Sequence, residues 1–441
     1  MSFQQGLSGL NASAKALDVV SNNIANANTV GFKSAATHFA DVFANSLSGG
    51  GAAQAGIGVT TAAIAQQFSQ GNITSTNNPL DLSINGGGFY RMSNNGTITY
   101  TRNGQFHLDK SGNVIDDRGR QLTGYGVQDG IIVQAAPAPL QLSSANIDPR
   151  ATGATNGGGV KASVNFDARS VVPPNSTFSR DDPRSYNWST STTVFDSLGN
   201  EHILALYAVS NPPVPPTVPP TGVWEIYATL DNTSPTNTGV NGGVAATLTF
   251  NDSGVLQAPR TIPVTLNLNQ VITDLNLIQS GQGKPLYPDN AATNNQTFNI
   301  DFTGSTQYGA AFGTNSMEQD GYTSGRLTGV SVSADGIVRG NYSNGQSTDM
   351  GQVVLANFTN PNGLTSLGGN QWAETSTSGA AQVGAPNTGT LGVLQSAAVE
   401  ESNTDLTAEL VNMITQQRNY QANAQSIKTQ DSIMQTLVNL R

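Results

Sequence analysis

The side chains that most often carry out catalysis or bind metals are scarce in this sequence and lie far apart. His38, His107 and His202 fall in three different segments, without the spacing of a metal site. The sequence has no cysteine, which excludes disulfides, thiolate nucleophiles and cysteine-ligated metals. We therefore interpret the histidines as surface or packing residues, and the sequence predicts no metal and no other cofactor.

Three short motifs resemble ligand-binding loops, but none of them supports that chemistry. GQGKP at 281–285 ends like a phosphate-binding loop, yet Pro285 occupies the position where Ser or Thr must hold magnesium. DKSGN at 109–113 begins like a calcium loop, but the twelfth position is Arg120 instead of glutamate. NGGGFY at 85–90 is better explained as a glycine turn that leads into a strand. The sequence therefore predicts that the protein is not an enzyme.

The composition limits which classes of protein the chain can belong to. Only 11% of the 441 residues are charged, against roughly 25% in an average soluble domain, and the net charge is −10. Lys and Arg form no cluster, which argues against nucleic-acid binding because phosphate contacts need clustered cations. No apolar run approaches the roughly 18 residues that span a bilayer, so we expect no membrane insertion. The first residues lack the features of a cleaved signal peptide.

The start of the chain carries apolar residues at the 4-3 spacing of a heptad, which predicts a helix with an apolar seam. The seam consists of Phe3, Leu7, Leu10, Ala14, Leu17 and Ile24, with Ser21 as its polar member. Only Lys15 and Asp18 are charged among the first thirty residues, and the rest of the surface is Ser, Asn, Gln, Ala and Gly. A helix with such small neutral groups can be packed on more than one side.

The end of the chain predicts a second helix, from about residue 404 to 439, with Asn403 or Thr404 as its cap. Its apolar heptad positions are Leu406, Leu410, Met413, Tyr420, Ala424, Ile427 and Met434. Either stripe alone also fits an ordinary amphipathic helix on a globular core. Two seams at opposite ends of one chain favour pairing with each other, because isolated helices this polar are marginal in water.

Between the helices the pattern changes to short alternating runs separated by Asn-Gly and Ser-Gly turns, which predicts β-hairpins. The clearest runs are 95–119, 191–209, 223–232, 243–256 and 326–346. NPPVPPTVPP at 211–220 is interpreted as a stiff surface loop rather than a binding motif. Segments 148–160 and 289–297 are rich in Gly, Ala, Asn and Thr, so we expect them to link an inserted domain.

Four blocks in this order resemble the rod–hook family of flagellar axial proteins. They are SNNIANANTVGFKS (21–34), NPLDLSINGGGFY (78–90), YTRNGQFHLDKSGNVID (100–116) and EESNTDLTAELVNMITQQRNYQANAQSIKTQDSIMQTLVNLR (400–441). IDFTGSTQYG at 300–309 and the stretch 320–346 resemble the hook members of that family in particular. The resemblance covers about three-quarters of the chain and is weakest over 148–298.

The resemblance implies a structural subunit of the bacterial flagellar hook, which polymerises with itself into a curved, flexible tube that transmits motor torque to the filament. It also implies terminal helices that form an inner coiled-coil layer around the export channel. Export would use the flagellar type III apparatus without signal cleavage, and the expected neighbours are the distal rod, the hook cap and the hook–filament junction proteins. Two alternatives remain at this stage: a distal rod subunit and a β-rich surface adhesin.

The predicted functional residues lie in the two terminal helices and in the first block, SNNIANANTVGFKS. We predict an assembly interface at Phe3, Leu7, Leu10, Leu17, Ile24, Leu406, Leu410, Met413, Tyr420 and Ile427. We predict a hinge between helix and connector at Asn22, Asn23, Asn26, Asn28, Gly31 and Phe32. Because neither end buries enough area alone, both are expected to be disordered in the free monomer and to fold on assembly.

The predicted fold class is a mainly β multidomain protein with paired N- and C-terminal helices in a coiled coil and nested, discontinuous β-domains. The predicted parts are a helical domain (1–27 with 404–441), an extended connector (28–73 with 360–403), an inner β-domain (74–147 with 299–359) and an outer inserted β-domain (148–298).

Overall fold

The fold is described from a computed structural model of the chain. The structure describes residues 2–42, 56–128, 130–155, 158–175, 177–211, 222–233, 244–282 and 295–439. The chain packs as two units, a first unit of Met1–Ser144, Thr328–Asn341 and Ser347–Arg441, and a second unit of Ala145–Leu327 and Tyr342–Gln346. The end of the phosphate-loop-like motif and almost all of the proline-rich segment 211–220 lie outside the described residues.

The first unit begins with helix α1 (Ser2–Ala25), which is followed by short strands. The strands are β1 (Ala35–Val42), β2 (Gly58–Gln66), β3 (Ile73–Ser75), β4 (Leu82–Asn85), β5 (Phe89–Asn94), β6 (Thr97–Thr101), β7 (His107–Leu108), β8 (Val114–Ile115), β9 (Gln121–Tyr125), β10 (Val127–Gln128), β11 (Ile131–Ile132) and β12 (Ala138–Pro139).

The second unit follows with longer strands and one helix. Its elements are β13 (Gly159–Asp167), β14 (Trp188–Phe195), β15 (Glu201–Ser210), β16 (Gly222–Leu230), β17 (Val244–Phe250), β18 (Thr261–Asn267), α2 (Leu268–Gly281), β19 (Asn295–Asp301), β20 (Thr306–Tyr308) and β21 (Gly313–Gln319).

The chain then returns to the first unit and ends in a long helix. The elements are β22 (Leu327–Val332), β23 (Ile337–Tyr342), β24 (Ser347–Val353), β25 (Leu355–Asn357), a 3-10 turn (Pro361–Gly363), β26 (Thr365–Gly368), β27 (Gln371–Ala373), β28 (Gln382–Gly384), β29 (Val393–Ser396), β30 (Ala398–Glu400) and α3 (Leu406–Asn439). The predicted fold class is confirmed: the chain is mainly β, and its two terminal helices pack together.

One five-residue turn closes several of the hairpins and explains much of the glycine content. In the turn from Asp116 to Arg120, the Asp116 carboxylate accepts hydrogen bonds from the backbone N–H groups of Arg118 and Arg120. The fourth residue, Gly119, has φ +76°, a left-handed conformation that favours glycine. Turns that start at Asp109, Asp196 and Asn251 repeat this arrangement. DKSGN is therefore a hairpin turn whose aspartate binds backbone N–H groups.

In the first unit, a branched sheet forms the β-domain. Its main path runs β22-β23-β24-β9-β5-β6-β27-β26, and alternating side chains build cores that include Tyr90, Leu122 and Val353. Two small pairs, β4 with β29 and β3 with β30, join the segment that follows the connector to the segment that leads into α3. These pairs position the charged residues described below.

The second unit contains a four-stranded antiparallel sheet, β14-β15-β16-β17, and a five-stranded sheet centred on β13. Apolar side chains of both sheets share one core, which includes Phe166, Leu206, Trp224 and Phe298. Helix α2 was not expected from the sequence. Its signal is short, because the helical spacing of Leu268, Val271, Ile272, Leu275 and Ile278 extends over only the 14 residues LNQVITDLNLIQSG.

The boundary expected at residue 299 differs from the structure. Strand β19 pairs with β13 and β18, and β20 and β21 both pair with β13. Residues 299–327 therefore pack in the second unit, and the chain returns to the first unit at residue 328. The cause is long-range pairing with β13, which a local pattern does not reveal. The division of the chain into four nested parts stays a prediction.

Candidate functional site

Helices α1 and α3 pack antiparallel, and three contacts define their register. Gly6 lies against Ile427, Gly9 lies against Asn423, and Asn23 near the end of α1 bonds to Glu409 in the first turn of α3. Each step forward along α1 thus matches a step back along α3. This register holds the two ends of the chain together over the length of α1.

The face of α1 that packs inward is made mostly of small residues. A Cβ atom at Gly6 would lie 3.0 Å from Cγ1 of Ile427, and one at Gly9 would lie 2.8 Å from the Asn423 amide oxygen. Other buried positions of α1 are Ala12, Ser13, Ala16 and Val20. Small side chains let two helix backbones approach closely, so α3 lies directly over the glycines.

A second side of α1 contacts the hairpin formed by β1 and β2. The Gln5 amide donates to the carbonyl of Gly56, and the Ser8 hydroxyl accepts from the backbone N–H of Val59. Helix α1 is therefore packed on more than one side, as the small neutral groups on its surface suggested.

The predicted apolar seam lies mostly outside this packing. Several of its members are exposed: Phe3 (51%), Leu7 (44%), Leu406 (48%), Leu410 (45%) and Tyr420 (37%). The other members are half-buried: Leu10, Leu17, Ile24, Met413 and Ile427. The small-residue face of α1 supplies part of the contact with α3, where Gly6 meets Ile427 of the α3 seam, and the pairing of the two seams with each other stays a prediction. The role of the seam as an assembly interface stays a prediction.

Below the helices, Glu400 holds two cations in a buried cluster. Lys33 Nζ donates to Glu400 Oε1 and to the carbonyl of Ser69, both at 2.6 Å. Arg102 Nη1 donates to Glu400 Oε2 at 3.2 Å, and the backbone N–H of Gly71 also donates to Oε1. The side chains of Lys33 and Glu400 are 0% exposed and that of Arg102 is 4% exposed. We call Lys33, Arg102 and Glu400 the buried triad.

Electrostatics make the anion of this triad indispensable. Burial lowers the pKa of Lys33, and the neighbouring Glu400 carboxylate opposes that shift. Burial lowers the pKa of Arg102 as well, again against the effect of Glu400. Removal of the single carboxylate would leave two buried cations without compensation, which costs far more than a surface ion pair is worth.

The backbone of the connector is fitted tightly at Gly31. This residue has φ +69°, and a Cβ atom there would lie 2.6 Å from backbone atoms of Arg102 and Asn103. The N–H of Gly31 donates to the carbonyl of Glu400 at 2.8 Å. Only glycine fits this position without displacement of the neighbouring chain, and the role of Gly31 in a hinge stays a prediction.

Among the asparagines of the predicted hinge, Asn23 forms hydrogen bonds to residues that are distant in the sequence. It is 1% exposed, its Nδ2 donates to the carbonyl of Ala35 and to Glu409 Oε1, and its Oδ1 accepts from the Ala35 N–H. One carboxamide thus joins α1, β1 and α3. The Asn26 amide donates to the carbonyl and to Oδ1 of Asn22, which keeps its bonds local.

Two further residues of that segment contribute less. Asn28 is exposed, and Phe32 is only half-buried, whereas the adjacent Lys33 is 1% exposed and anchors the segment.

The start of α3 also differs from expectation. Asp405 caps it, with Oδ1 accepting from the N–H groups of Thr407 and Ala408. Asn403 instead accepts from the N–H of Ser34 and donates to the carbonyl of Gln67.

The buried triad was missed at the level of sequence. Its signal is the rarity of charge: Lys33 is the one charged residue of SNNIANANTVGFKS, and Glu400 opens the last block.

In the described part of the chain, no three His, Asp or Glu side chains form a metal-binding group. Nor is any helix there long and apolar enough to cross a membrane. On the surface, His107 lies 3.7 Å from Asp117, and His202 contacts the carboxylates of Asp196 and Asp231.

Four family models match the chain in sequence order. They are the flagella basal body rod protein (residues 3–33), the flagellar hook protein FlgE/F/G D1 domain (83–155), the flagellar basal body protein FlaE D2 domain (165–322) and the flagellar basal body rod FlgEFG protein C-terminal region (395–440). Together they include both terminal helices and parts of both packing units.

Relatives match over their full length. The flagellar hook proteins FlgE of Salmonella typhimurium and Escherichia coli are each 40% identical over 448 residues, covering 100% of both chains. FlgE of Borreliella burgdorferi is 30% identical over 463 residues, covering 100% of this chain and 99% of its own. The crystal structure of Helicobacter pylori flagellar hook protein FlgE2 matches with a TM-score of 0.50 at 13% identity, over 73% of this chain and 99% of that one. This last match concerns the fold alone.

Proposed function

This chain belongs to the flagellar hook protein family, and we propose that it self-assembles through its terminal helices into the curved, flexible tube that joins motor to filament. One observation carries the proposal. The helices already pair through the small-residue face of α1, yet Phe3, Leu7, Leu406 and Leu410 stay about half exposed. A paired helix that keeps its large apolar side chains outside has a surface suited to a second copy.

The physical argument is one of area. Burial of apolar surface contributes about 25 cal/mol per Å², so a row of exposed leucines favours association strongly once copies stand side by side. A polymer repeats the same contact along and around the tube, whereas a monomer leaves this surface in water. The exposed members of the predicted assembly interface are the ones that intramolecular pairing leaves uncovered.

The polar surface of the helices suits a lining for an export channel. Exposed positions of α3 include Gln417, Asn419, Gln421 and Gln425, which carry no charge. A neutral lining does not bind passing chains electrostatically. Export through the flagellar type III apparatus without signal cleavage fits this arrangement, as do contacts with the distal rod, the hook cap and the hook–filament junction proteins at the ends of the tube.

A distal rod subunit is the nearest alternative, since rod models match both ends of the chain. The hook assignment is favoured because the full-length relatives carry that name and because the second unit matches the D2 domain model. A surface adhesin would not need uncovered apolar seams on paired terminal helices. Curved tubes in electron micrographs support the hook, and straight tubes would support the rod.

The test uses a charge placed in the seam. Leu410→Asp is expected to abolish tube formation by purified protein, because each contact would bury a carboxylate. Ser426→Asp adds the same charge to an exposed position of the same helix outside the heptad seam and is expected to leave assembly intact. Leu10→Asp tests the seam of α1 in the same way. Circular dichroism checks that the β-domains remain folded, and normal tubes from Leu410→Asp would refute the proposal.

A further inference from the structure

The two terminal helices differ in length, and their register leaves one end of α3 without a partner. Helix α1 spans Ser2–Ala25 and α3 spans Leu406–Asn439. Because Gly6 lies opposite Ile427 and Gly9 opposite Asn423, the first residue of α1 comes level with about residue 430. Residues 431–439 therefore extend beyond α1 by about 13 Å at 1.5 Å per residue. We call 431–439 the overhang.

The overhang is apolar on its surface and nearly uncharged. Ile433, Met434 and Val438 are 55%, 61% and 71% exposed, and Asp431 is the one charged residue of the segment. Met434 continues the seven-residue spacing of Met413, Tyr420 and Ile427. The stripe that runs beside α1 at Ile427 thus continues past the start of α1, where no part of the described chain covers it.

The opposite end of the same helix carries a second uncovered apolar stripe. Leu406, Leu410, Val411 and Ile414 are 48%, 45%, 58% and 50% exposed. The one charged side chain between 406 and 414 is Glu409, whose Oε1 accepts from Asn23 and is directed toward α1. We call residues 406–414 the α3 start. Asp431 is the one exposed carboxylate of the two segments, and its Oδ2 accepts from Gln435 Nε2 within the overhang.

We propose that in the assembled tube the overhang of one copy packs on the α3 start of the next copy along the tube. An open polymer repeats a head-to-tail contact, in which a patch at one end of the subunit meets a different patch at the other end. The overhang and the α3 start are two such patches at opposite ends of one helix. The overhang also continues the α1–α3 interface, so its occupant covers the same stripe that α1 covers within the chain.

The small size of the contact explains how it avoids premature assembly. A segment of nine residues buries much less than the roughly 1,000 Å² that a stable interface needs. Two free copies therefore do not stay together through this contact alone. In the tube it acts together with the lateral contacts of the proposed function, on which this proposal rests.

Engineered cysteines test the contact directly, because the chain has none of its own. Met434→Cys combined with Leu410→Cys is polymerised under reducing conditions, then oxidised and run on a non-reducing gel. Within one chain the two positions are 24 residues apart on one helix, about 36 Å, so no intramolecular disulfide can form. The proposal predicts a ladder of disulfide-linked dimers, trimers and longer species. Each copy carries one cysteine in its overhang and one in its α3 start, so it can be linked to a neighbour at both ends.

Matched variants distinguish the outcomes. Each single cysteine variant is expected to give at most dimers. Val438→Cys with Ile414→Cys probes the same contact about one helical turn further along. If the first pair gives no disulfide ladder, this second pair tests whether the two cysteines of the first pair were only out of reach of each other. Tubes without a ladder from either pair would overturn the proposal and leave the proposed function intact. A ladder from Met434→Cys with Leu7→Cys instead would overturn it in favour of a side-by-side contact. Absence of tubes from the unmodified chain would refute the proposed function itself.

Discussion

Lys33 Nζ lies 2.6 Å from Glu400 Oε1, although the two residues are 367 positions apart in the chain. The second oxygen of the same carboxylate accepts from Arg102, which follows β6. One buried carboxylate therefore ties the segment that leaves α1, the β-domain, and the segment that enters α3. The connector predicted to act as a hinge is held at this point by charge as well as by the close fit of Gly31.

Removal of the anion is expected to damage the first unit more than removal of a cation. Glu400→Gln leaves Lys33 and Arg102 buried without a counter-charge and should lower the free energy of unfolding of the first unit by about 3–5 kcal/mol. Lys33→Met leaves the Arg102–Glu400 pair in place and should cost less. Urea unfolding of the full chain, with separate probes for the two units, measures both effects. Equal losses from the two variants would contradict the assigned role of Glu400.

The sequence allowed prediction of both terminal helices and of the hairpin-rich middle, because these depend on local patterns. Heptad spacing indicated α1 and α3, and the Asn-Gly and Ser-Gly pairs indicated the turns. It did not reveal which helix face packs within the chain. In a subunit that assembles with copies of itself, large apolar residues can serve contacts between chains while Gly6 and Gly9 serve the contact within one. A single sequence does not show which residues make contacts between chains and which make contacts within one chain.

Long-range pairing accounts for the other differences. The buried triad joins residues from three distant segments, and no periodicity points from Lys33 to Glu400. The return of the chain at residue 328 rather than 299 depends on three strands that all pair with β13. Helix α2 has too few turns for its spacing to stand out between strands. Such features follow from tertiary contacts, and local propensity carries little information about them.

Two glycines at the same position of the repeated hairpin turn allow the cost of backbone strain to be measured apart from the cost of a steric clash. Gly119 and Gly112 have φ values of +76° and +79°, but a Cβ atom at Gly119 meets nothing within 4 Å, whereas one at Gly112 would lie 2.3 Å from the Leu142 carbonyl oxygen. Gly119→Ala should cost about 1–2 kcal/mol from the left-handed conformation alone. Gly112→Ala should cost clearly more, because the backbone of residue 142 must move. Thermal unfolding of the first unit compares the two, and equal shifts in Tm would show that the clash is relieved without cost.

The stability of the second unit is expected to depend on pH through His202. Its Nδ1 lies 2.6 Å from Asp231 Oδ2, and its Nε2 lies 3.6 Å from Asp196 Oδ2. Burial alone lowers the pKa of His202, but the two carboxylates outweigh it, so the pKa lies above its ordinary value. The protonated ring therefore stabilises the fold fully below the unfolded-state pKa of about 6.5, and this contribution is lost as pH rises through the folded-state pKa.

His202→Gln should remove that dependence. At pH 5.5 the variant is expected to lose about 1.5–3 kcal/mol of the stability of the second unit, as for hydrogen bonds to charged groups, and much less at pH 8.5. Replacement of the exposed His38 by glutamine serves as the control, since it lies in the first unit. Urea midpoints at the two pH values measure the effect. A difference between the pH values that persists in His202→Gln would assign the dependence to other groups.

Order in the terminal helices is expected to depend on assembly, and trypsin can report it residue by residue. Lys15 in α1 and Arg418 and Lys428 in α3 are exposed, whereas Lys33 and Arg102 are buried in the triad. In the free chain the helices should open readily, so cleavage after Lys15, Arg418 and Lys428 should precede cleavage after Lys33 by at least tenfold in rate, the equivalent of about 1.4 kcal/mol.

In tubes the same three sites should be protected, because neighbouring copies cover the seam. Mass spectrometry of timed digests identifies each cut, and Lys110, an exposed residue of a hairpin turn in the first unit, serves as the reference site in both states. The physical reason for the difference is that the triad holds the connector without any partner, while the helices lack enough buried area of their own. Protection of the Lys15–Ala16 bond in the free chain equal to that of Lys33–Ser34 would mean that the helices are already folded before assembly.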